Sequence, residues 1–315
     1  MRWCARFDVC CSVRLGDIVF LTITAVSGFS LGQWLGRVGG FGYSRPLEPL
    51  EFPDRSPADL ALFDGVKIFC WVTTKPSNFR SRCDAVMDTW GRECNRIIFV
   101  SNETDDVLPV VVFEGEEFLN GLSNKTQKAF KWIYNNVLDQ YDWFLKADDD
   151  TYVHMTNLRQ LLNKYSPDEA VAFGHKYHKD GSGIYYHSGG AGYAISRRGV
   201  QRLVKNGLLD GKCSEAIKFV YEDLFVGYCL SIVGTAVMDG ADANGAHRFL
   251  PVAVWDYMHP SDLPNWLNQT SVAKLKPSYA CCSPHFMTMN YAPNSLQYLA
   301  DYLLHRLKPF GADFH

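Results

Sequence analysis

The chain has 315 residues, 47% of them hydrophobic and 14% aromatic, and its 31 Lys and Arg against 34 Asp and Glu leave a net charge of −3. That is enough apolar material for one large or two ordinary domains. The near-neutral balance, with no basic block, argues against a nucleic-acid partner.

Arg2, Arg6 and Arg14 precede the run 18–35 (IVFLTITAVSGFSLGQWL), whose strongly polar member is Gln33. A run of this length is just enough to span a bilayer. Three arginines before it against Arg37 soon after place residues 1–17 in the cytosol as a tail, with 18–35 as a transmembrane signal anchor. A cleaved signal peptide is the alternative, although no Ala-x-Ala-like site follows the run. Residues 36–65 carry Gly39, Gly40, Gly42, Pro46, Pro49, Pro53 and Pro57, which reads as a stem. The folded domain is then expected over 66–311.

Residues 66–72 alternate as a strand and end in the turn Thr73-Thr74-Lys75-Pro76, after which a helix is predicted to Trp90. Strands are predicted over 96–100 and 110–113. Ala129, Trp132, Ile133 and Val137 mark a helix face over 125–138. The apolar run Trp143-Phe144-Leu145 predicts another strand, followed by a helix over 157–164 and a strand over 170–173. Strands alternating with helices point to an α/β domain with a mostly parallel sheet, in which ligands bind beyond the carboxyl ends of the strands.

Asp148, Asp149 and Asp150 stand directly behind the 143–145 run. Three carboxylates at the mouth of a sheet repel one another unless a cation sits among them. A hard divalent ion that also holds the phosphates of a nucleotide would remove the repulsion; the plainer reading is a solvated acidic turn. Residues 188–194 (SGGAGYA) lead into a helix predicted over 197–203, without the Lys-Ser/Thr of a phosphate-binding P-loop. Their glycines fit close approach of backbone to a bulky ligand, or a tight turn. In Tyr221-Glu222-Asp223, two acids open a helix, as a cap or as the general base of a transferase.

Ten cysteines divide into Cys4, Cys10 and Cys11 before the apolar run and seven after it, an odd number that leaves at least one thiol outside an internal disulfide. Adjacent Cys281 and Cys282 lack the gap of a zinc knuckle. Sequons at Asn102, Asn124 and Asn268 agree with a luminal domain.

FLKADDDTYV, SGGAGYAIS, YEDLFVG and the terminal CCS and YLLHRLKPFG, in that order, resemble the β1,3-glycosyltransferase family 31, above all its core 1 galactosyltransferase branch. The resemblance covers roughly 66–311. It implies a type II Golgi membrane protein with a GT-A fold that uses UDP-galactose and Mn²⁺. Such an enzyme adds galactose in β1,3 linkage, with inversion, to GalNAc on Ser or Thr of glycoproteins, and a homodimer is left open. By the same resemblance Asp148 and Asp150 are metal-binding acids, Asp148 also facing the nucleotide sugar. Asp223 is the base with Glu222 beside it. Thr73, Thr74, Lys125, Gly189, Gly190, Ala191 and Tyr291 line the nucleotide-sugar site. Cys94, Cys213, Cys229, Cys281 and Cys282 fall at family positions, whereas Cys70 and Cys83 are additions.

Two departures stand out. The metal-ligating histidine of the family corresponds to Asn290, whose amide oxygen binds Mn²⁺ more weakly than imidazole, with His285 or His259 as candidate substitutes. An acidic-Gly-Arg-Asp segment corresponds to residues 114–117 (EGEE), which lacks the arginine. These departures, and divergence over 251–278, keep two alternatives in view: a transferase with another donor or acceptor, and a catalytically weak paralogue that serves as chaperone or partner.

Overall fold

The structure, a computed structural model, describes residues 55–113, 119–259, 263–276 and 278–307. The expected tail, the anchor, the first part of the stem and the 114–117 segment lie outside the described residues. Among the described residues no helix is long and apolar enough to cross a membrane.

Helix α1 (Pro57–Gly65) opens the described chain and corrects the stem reading for its last residues. Ser56 and Asp59 form a capping box, and Pro57 sits in the first turn, where a missing N–H is not needed. The proline that suggested a tether starts a helix instead. That helix is docked: Asn95 Nδ2 donates to Phe63 O at 3.1 Å, and the Arg159 guanidinium lies 4.8 Å from the Phe63 ring centre.

Strand β1 (Ile68–Thr73) is apolar on both faces. Ile68, Cys70 and Val72 join one core, while Phe69 and Trp71 join another on the opposite side. A strand buried on both faces belongs inside a parallel sheet. The helix predicted after it is fragmented into a π turn (Phe79–Cys83), the short α2 (Asp84–Asp88) and a 3₁₀ turn (Trp90–Glu93). Thr89 explains the break: its hydroxyl donates back to Ala85 O at 2.6 Å and its own backbone leaves helical geometry.

Then come β2 (Arg96–Ser101), β3 (Val110–Val112), α3 (Leu119–Asn136), β4 (Trp143–Asp148), β5 (Tyr152–Val153), α4 (Met155–Leu162) and β6 (Val171–Gly174). Next are the hairpin strands β7 (Lys176–Lys179) and β8 (Ile184–His187), β9 (Tyr193–Ser196), α5 (Arg197–Arg202), α6 (Glu222–Ile232) and β10 (Ala236–Asp239). The last elements are β11 (Phe249–Leu250), α7 (Val254–Met258), α8 (Asn265–Thr270), β12 (Thr288–Met289) and α9 (Asn294–His305).

The main sheet has the order β10-β6-β9-β4-β1-β2-β3. Its β4-β1-β2-β3 half is parallel, and β9 runs antiparallel between β4 and β6. The domain is therefore α/β with a mostly parallel sheet, with one antiparallel strand that the sequence reading merged into its glycine-rich loop. A small sheet, β11-β12-β5, grows from the turn after β4. Cys70 bonds Cys94, Cys213 bonds Cys229 and Cys281 bonds Cys282, leaving Cys83 as a buried free thiol.

Candidate active site

Parallel register sets the site. Thr73, the last residue of β1, pairs with Asp148, the last of β4, so both chains release their loops at one edge of the sheet. The Thr73 hydroxyl donates to Asp148 Oδ1. Thr74 donates to Asp149 Oδ2 at 2.7 Å and Asn78 Nδ2 to the same oxygen at 2.8 Å. Both threonines thus hold acids in place.

The three aspartates have different surroundings. Asp149 is buried and, besides Thr74 and Asn78, accepts from Arg82 Nη1 at 2.9 Å. Asp150 accepts from the same Nη1 at 2.9 Å. Burial, then the charges of Asp148 and Asp149, push the Asp150 carboxyl up to about 6 against the pull of Arg82. Asp148 is partnered by Lys146 Nζ at 2.7 Å. Lys146 sits in the apolar strand β4 with its side chain 3% exposed, and reaches Glu222 Oε1 at 3.1 Å and Gly189 O at 3.1 Å. Burial would lower its pKa, but the two carboxylates outweigh burial and raise it. Lys146 therefore ties together the acid turn, the glycine-rich loop and the head of α6.

The 188–192 loop is fixed from several directions. Thr151 Oγ1 donates to Gly190 O at 2.7 Å, and Ala191 N–H donates to Ser188 Oγ at 3.2 Å. A Cβ on Gly189 would come within 2.5 Å of Glu222 Oε1, and one on Gly190 would collide with Asn290 Nδ2. Glycine at both positions lets this loop touch α6 on one side and the β12 exit on the other.

Glu222 is buried and accepts from Tyr193 OH at 3.1 Å as well as pairing with Lys146. Asp223 accepts only backbone donors among the described residues: Leu224 N–H at 2.8 Å and Gly189 N–H at 3.3 Å. Burial, then the Glu222 charge, raises the Asp223 carboxyl to about 6. Of the two acids, Asp223 has its oxygens less committed.

Asn290 is buried, and its Nδ2 donates to Pro251 O at 3.2 Å. Its neighbour Tyr291 is half exposed with a left-handed φ of 51°. The backbone N–H of Ala292 donates to Asp150 O at 2.8 Å, which brings the Asn290-Tyr291 segment against the acid turn. His285 and His259 are exposed, and no described hydrogen bond joins either to the acids. Lys125 is buried on α3, whose Ser123 hydroxyl donates to Phe219 O at 3.2 Å just before α6.

A profile of the Fringe-like family matches residues 64–242, a span that holds the acid turn, the glycine-rich loop and Asp223. The chain is 30% identical over 274 residues to glycoprotein-N-acetylgalactosamine 3-beta-galactosyltransferase 1 of Xenopus laevis, covering 85% of this chain and 74% of that relative. The chain belongs to the Fringe-like family of glycosyltransferases. Other relatives match over less of their length. Human beta-1,3-glucosyltransferase is 30% identical over 54% of this chain and 34% of its own. Human chondroitin sulfate synthase 3 is 26% identical over 53% of this chain and 20% of its own.

Several residues around this candidate site were not read from the sequence. Lys146 left a trace, a lone charge in an apolar strand. Arg82, Asn78, Thr151 and Tyr193 left none, since each acts through a partner far along the chain.

Proposed function

We propose that the chain is an inverting β1,3-galactosyltransferase of GT-A type that moves galactose from UDP-galactose to O-linked GalNAc on Ser or Thr of glycoproteins. The observation that carries it is that Gly189 links the two acid groups, its N–H donating to Asp223 and its carbonyl accepting from Lys146, the partner of Asp148, within a family of transferases. A donor lying along that loop would present its diphosphate to the acids and its sugar to Asp223. The reading includes a type II Golgi protein: tail 1–17, anchor 18–35, stem from 36 to the capped helix α1, and a luminal catalytic domain reaching 311.

The donor set suits a hard divalent ion such as Mn²⁺. Asp148 and Asp150 supply carboxylate oxygens, and the Asp150 carboxyl is raised first by burial and then by the charges of Asp148 and Asp149. Asn290 donates its Nδ2 to Pro251 O, which leaves Oδ1, the acceptor of the amide, to face a cation. No group of three or more His, Cys, Asp or Glu among the described residues is arranged to hold a metal by itself. The fit is to a cation shared between one or two carboxylates and a diphosphate. Such a cation would supply charge stabilisation for departing UDP. Asp223, ionised, takes the proton of the attacking acceptor hydroxyl on the face opposite the leaving group. Glu222 anchors Lys146 and, through it, the loop under the sugar. Thr73, Thr74, Lys125, Ala191 and Tyr291 complete the nucleotide-sugar site in this reading.

The test is turnover of UDP-galactose with a GalNAc-peptide and Mn²⁺. Asp150→Ala is expected to lower the rate by at least about a hundredfold. A variant with full rate would remove Asp150 from the metal site. Asn290→His is expected to lower the Mn²⁺ needed for half-maximal UDP binding about tenfold, or about 1.4 kcal/mol. Unchanged metal dependence would mean that residue 290 does not face the ion.

A second reading keeps the chemistry and changes the sugar or acceptor. The family relatives named for glucose and chondroitin sulfate favour it, as does the surface of Trp255 and Trp266, each half exposed in the divergent 251–278 stretch. A panel of UDP-sugars against GalNAc-, fucose- and glucuronate-bearing acceptors separates the two.

A further inference from the structure

We propose that the basic hollow beside α5 is a second ligand site, which takes a saccharide carrying a phosphate or sulfate ester. Arg198, Gln201, Arg202 and Lys205 stand at i, i+3, i+4 and i+7, the spacing that puts side chains on one face of a helix. That face runs from α5 into the π turn Leu203–Leu209. With Asn206 and Val233, these four line a cavity of about 420 Å³, within the size range of small-molecule sites. The lining holds three cations and no acid.

Those cations are not neutralised. Arg197, next in sequence, pairs with Asp168 at 3.1 Å and Asp142 at 3.5 Å. The three in the hollow have no carboxylate partner among the described residues. Arg198 Nη1 donates to the neutral Gln201 Oε1, and Arg202 Nη1 to Gly234 O at 2.6 Å. Lys205 is exposed. Capping the carbonyl end of α6 is reason enough for Arg202, but it accounts for neither Arg198 nor Lys205. Like charges three and four residues apart cost a helix stability, and a bound anion would turn that cost into attraction.

The other lining groups specify more than charge. Gln201 has its oxygen engaged by Arg198 and keeps its amide donors. Asn206 makes no side-chain hydrogen bond among the described residues, so it offers a donor and an acceptor. Amides that give and accept suit sugar hydroxyls, while guanidinium forks suit an ester oxyanion. The cavity also exceeds what a bare phosphate or sulfate fills, since one water occupies only about 30 Å³ of liquid.

This hollow lies at the opposite edge of the sheet from the acid turn. Ser196, which leads into α5, pairs with Trp143 at the start of β4, and Arg197 N–H donates to Asp142 O at 2.8 Å. Asp148 ends the same strand, about 17 Å further on by the rise of a strand. The occupant is therefore neither the donor nor the hydroxyl that it modifies, and the inference does not rest on the reading of the acid turn.

The experiment uses the full chain in an uncharged detergent at low ionic strength, with no divalent cation added, so that the acid turn does not take up anions. Glucose 6-phosphate, glucose 6-sulfate, glucose and inorganic phosphate are titrated calorimetrically into wild type and into Arg198→Gln combined with Lys205→Gln. Wild type is expected to bind at least one ester, about tenfold more tightly than inorganic phosphate, and to give no heat with glucose. The tighter ester identifies the group. Arg198 and Lys205 are exposed, so the double variant should fold, as circular dichroism checks. It is expected to lose at least about tenfold in ester affinity. Unchanged affinity places the ester elsewhere and overturns the proposal. Inorganic phosphate bound as tightly as the esters overturns the saccharide. If neither ester binds, the site falls, and binding to phosphatidylserine vesicles that the double variant loses would then assign the hollow to a membrane surface. The double variant should keep wild-type turnover of UDP-galactose on a GalNAc-peptide. Should wild type show no turnover at all, the ester affinities still decide this inference.

Discussion

Asp223→Asn is expected to lower kcat by about a thousandfold while leaving UDP affinity within about twofold, because a positioned general base contributes roughly that much and does not touch the nucleotide. Asparagine has nearly the same shape and keeps one oxygen for the Leu224 N–H, giving up the longer bond from Gly189 N–H, while Lys146 and Thr151 still hold the loop. The pH dependence follows from the carboxyl, which burial and then Glu222 raise to about 6. Only the ionised form accepts a proton, so kcat/KM should climb about tenfold per unit below pH 6 and level off above it. Stability runs the other way. A folded carboxyl with a raised pKa binds its proton more tightly than the unfolded chain does, so it favours folding most below the ordinary carboxylate range. That advantage is lost as pH rises to about 6. Above this the ionised Asp223 costs the fold about 2 kcal/mol after allowance for its partial exposure. Asp223→Asn should therefore melt several degrees higher than wild type at pH 7, but not at pH 4. A variant that lost activity and stability together at neutral pH would mark Asp223 as a structural group.

The parts of the site that were legible in the sequence are those that contradict their surroundings. An apolar strand that ends in three carboxylates has to be explained, and so do two acids at a helix head. The central strands were legible for a related reason. Phe69 and Trp71 face one core and Ile68, Cys70 and Val72 the other, which leaves an unbroken apolar run that fits a strand covered on both faces. What was hidden is pairing at a distance. Arg82 precedes its acids by 67 and 68 residues, and no periodicity reports a contact of that kind. Strand β9 was hidden because Tyr193 and Ala194 close the glycine-rich motif while also pairing with Lys146 and Leu145. Helix α1 was hidden because Pro57 reads as a breaker until Ser56 is seen to cap the turn that it starts. Thr73 and Thr74 were placed at the right edge of the sheet, but the hydroxyls hold Asp148 and Asp149, which only the register of β1 on β4 reveals.

Lys146→Met should cost about 3–5 kcal/mol of stability, the range for removing one member of a buried charge pair. Methionine fills similar space, so the loss would come from charge. Without the ammonium, Glu222 keeps Tyr193 OH as its side-chain donor, and Asp148 keeps Thr73. Gly189 O loses the ammonium but keeps the Gly192 N–H at 3.0 Å, so the cost comes from the two carboxylates. The contribution of Lys146 is not a source of pH dependence near neutrality. Its folded pKa is raised, so the stabilisation is complete below the unfolded lysine's value of about 10.4 and disappears only in strong alkali. Urea unfolding at pH 7 measures the loss directly. The second half of the prediction separates stability from position. Adding Glu222→Gln to Lys146→Met removes one orphaned charge and should recover part of the stability, yet the glycine-rich loop would still lack the Lys146 bond to Gly189 O. Turnover should then stay at least about tenfold below wild type although the protein is folded. Recovery of both together would show that Lys146 only balances charge; recovery of stability alone would show that it holds Gly189 where the donor sugar needs it.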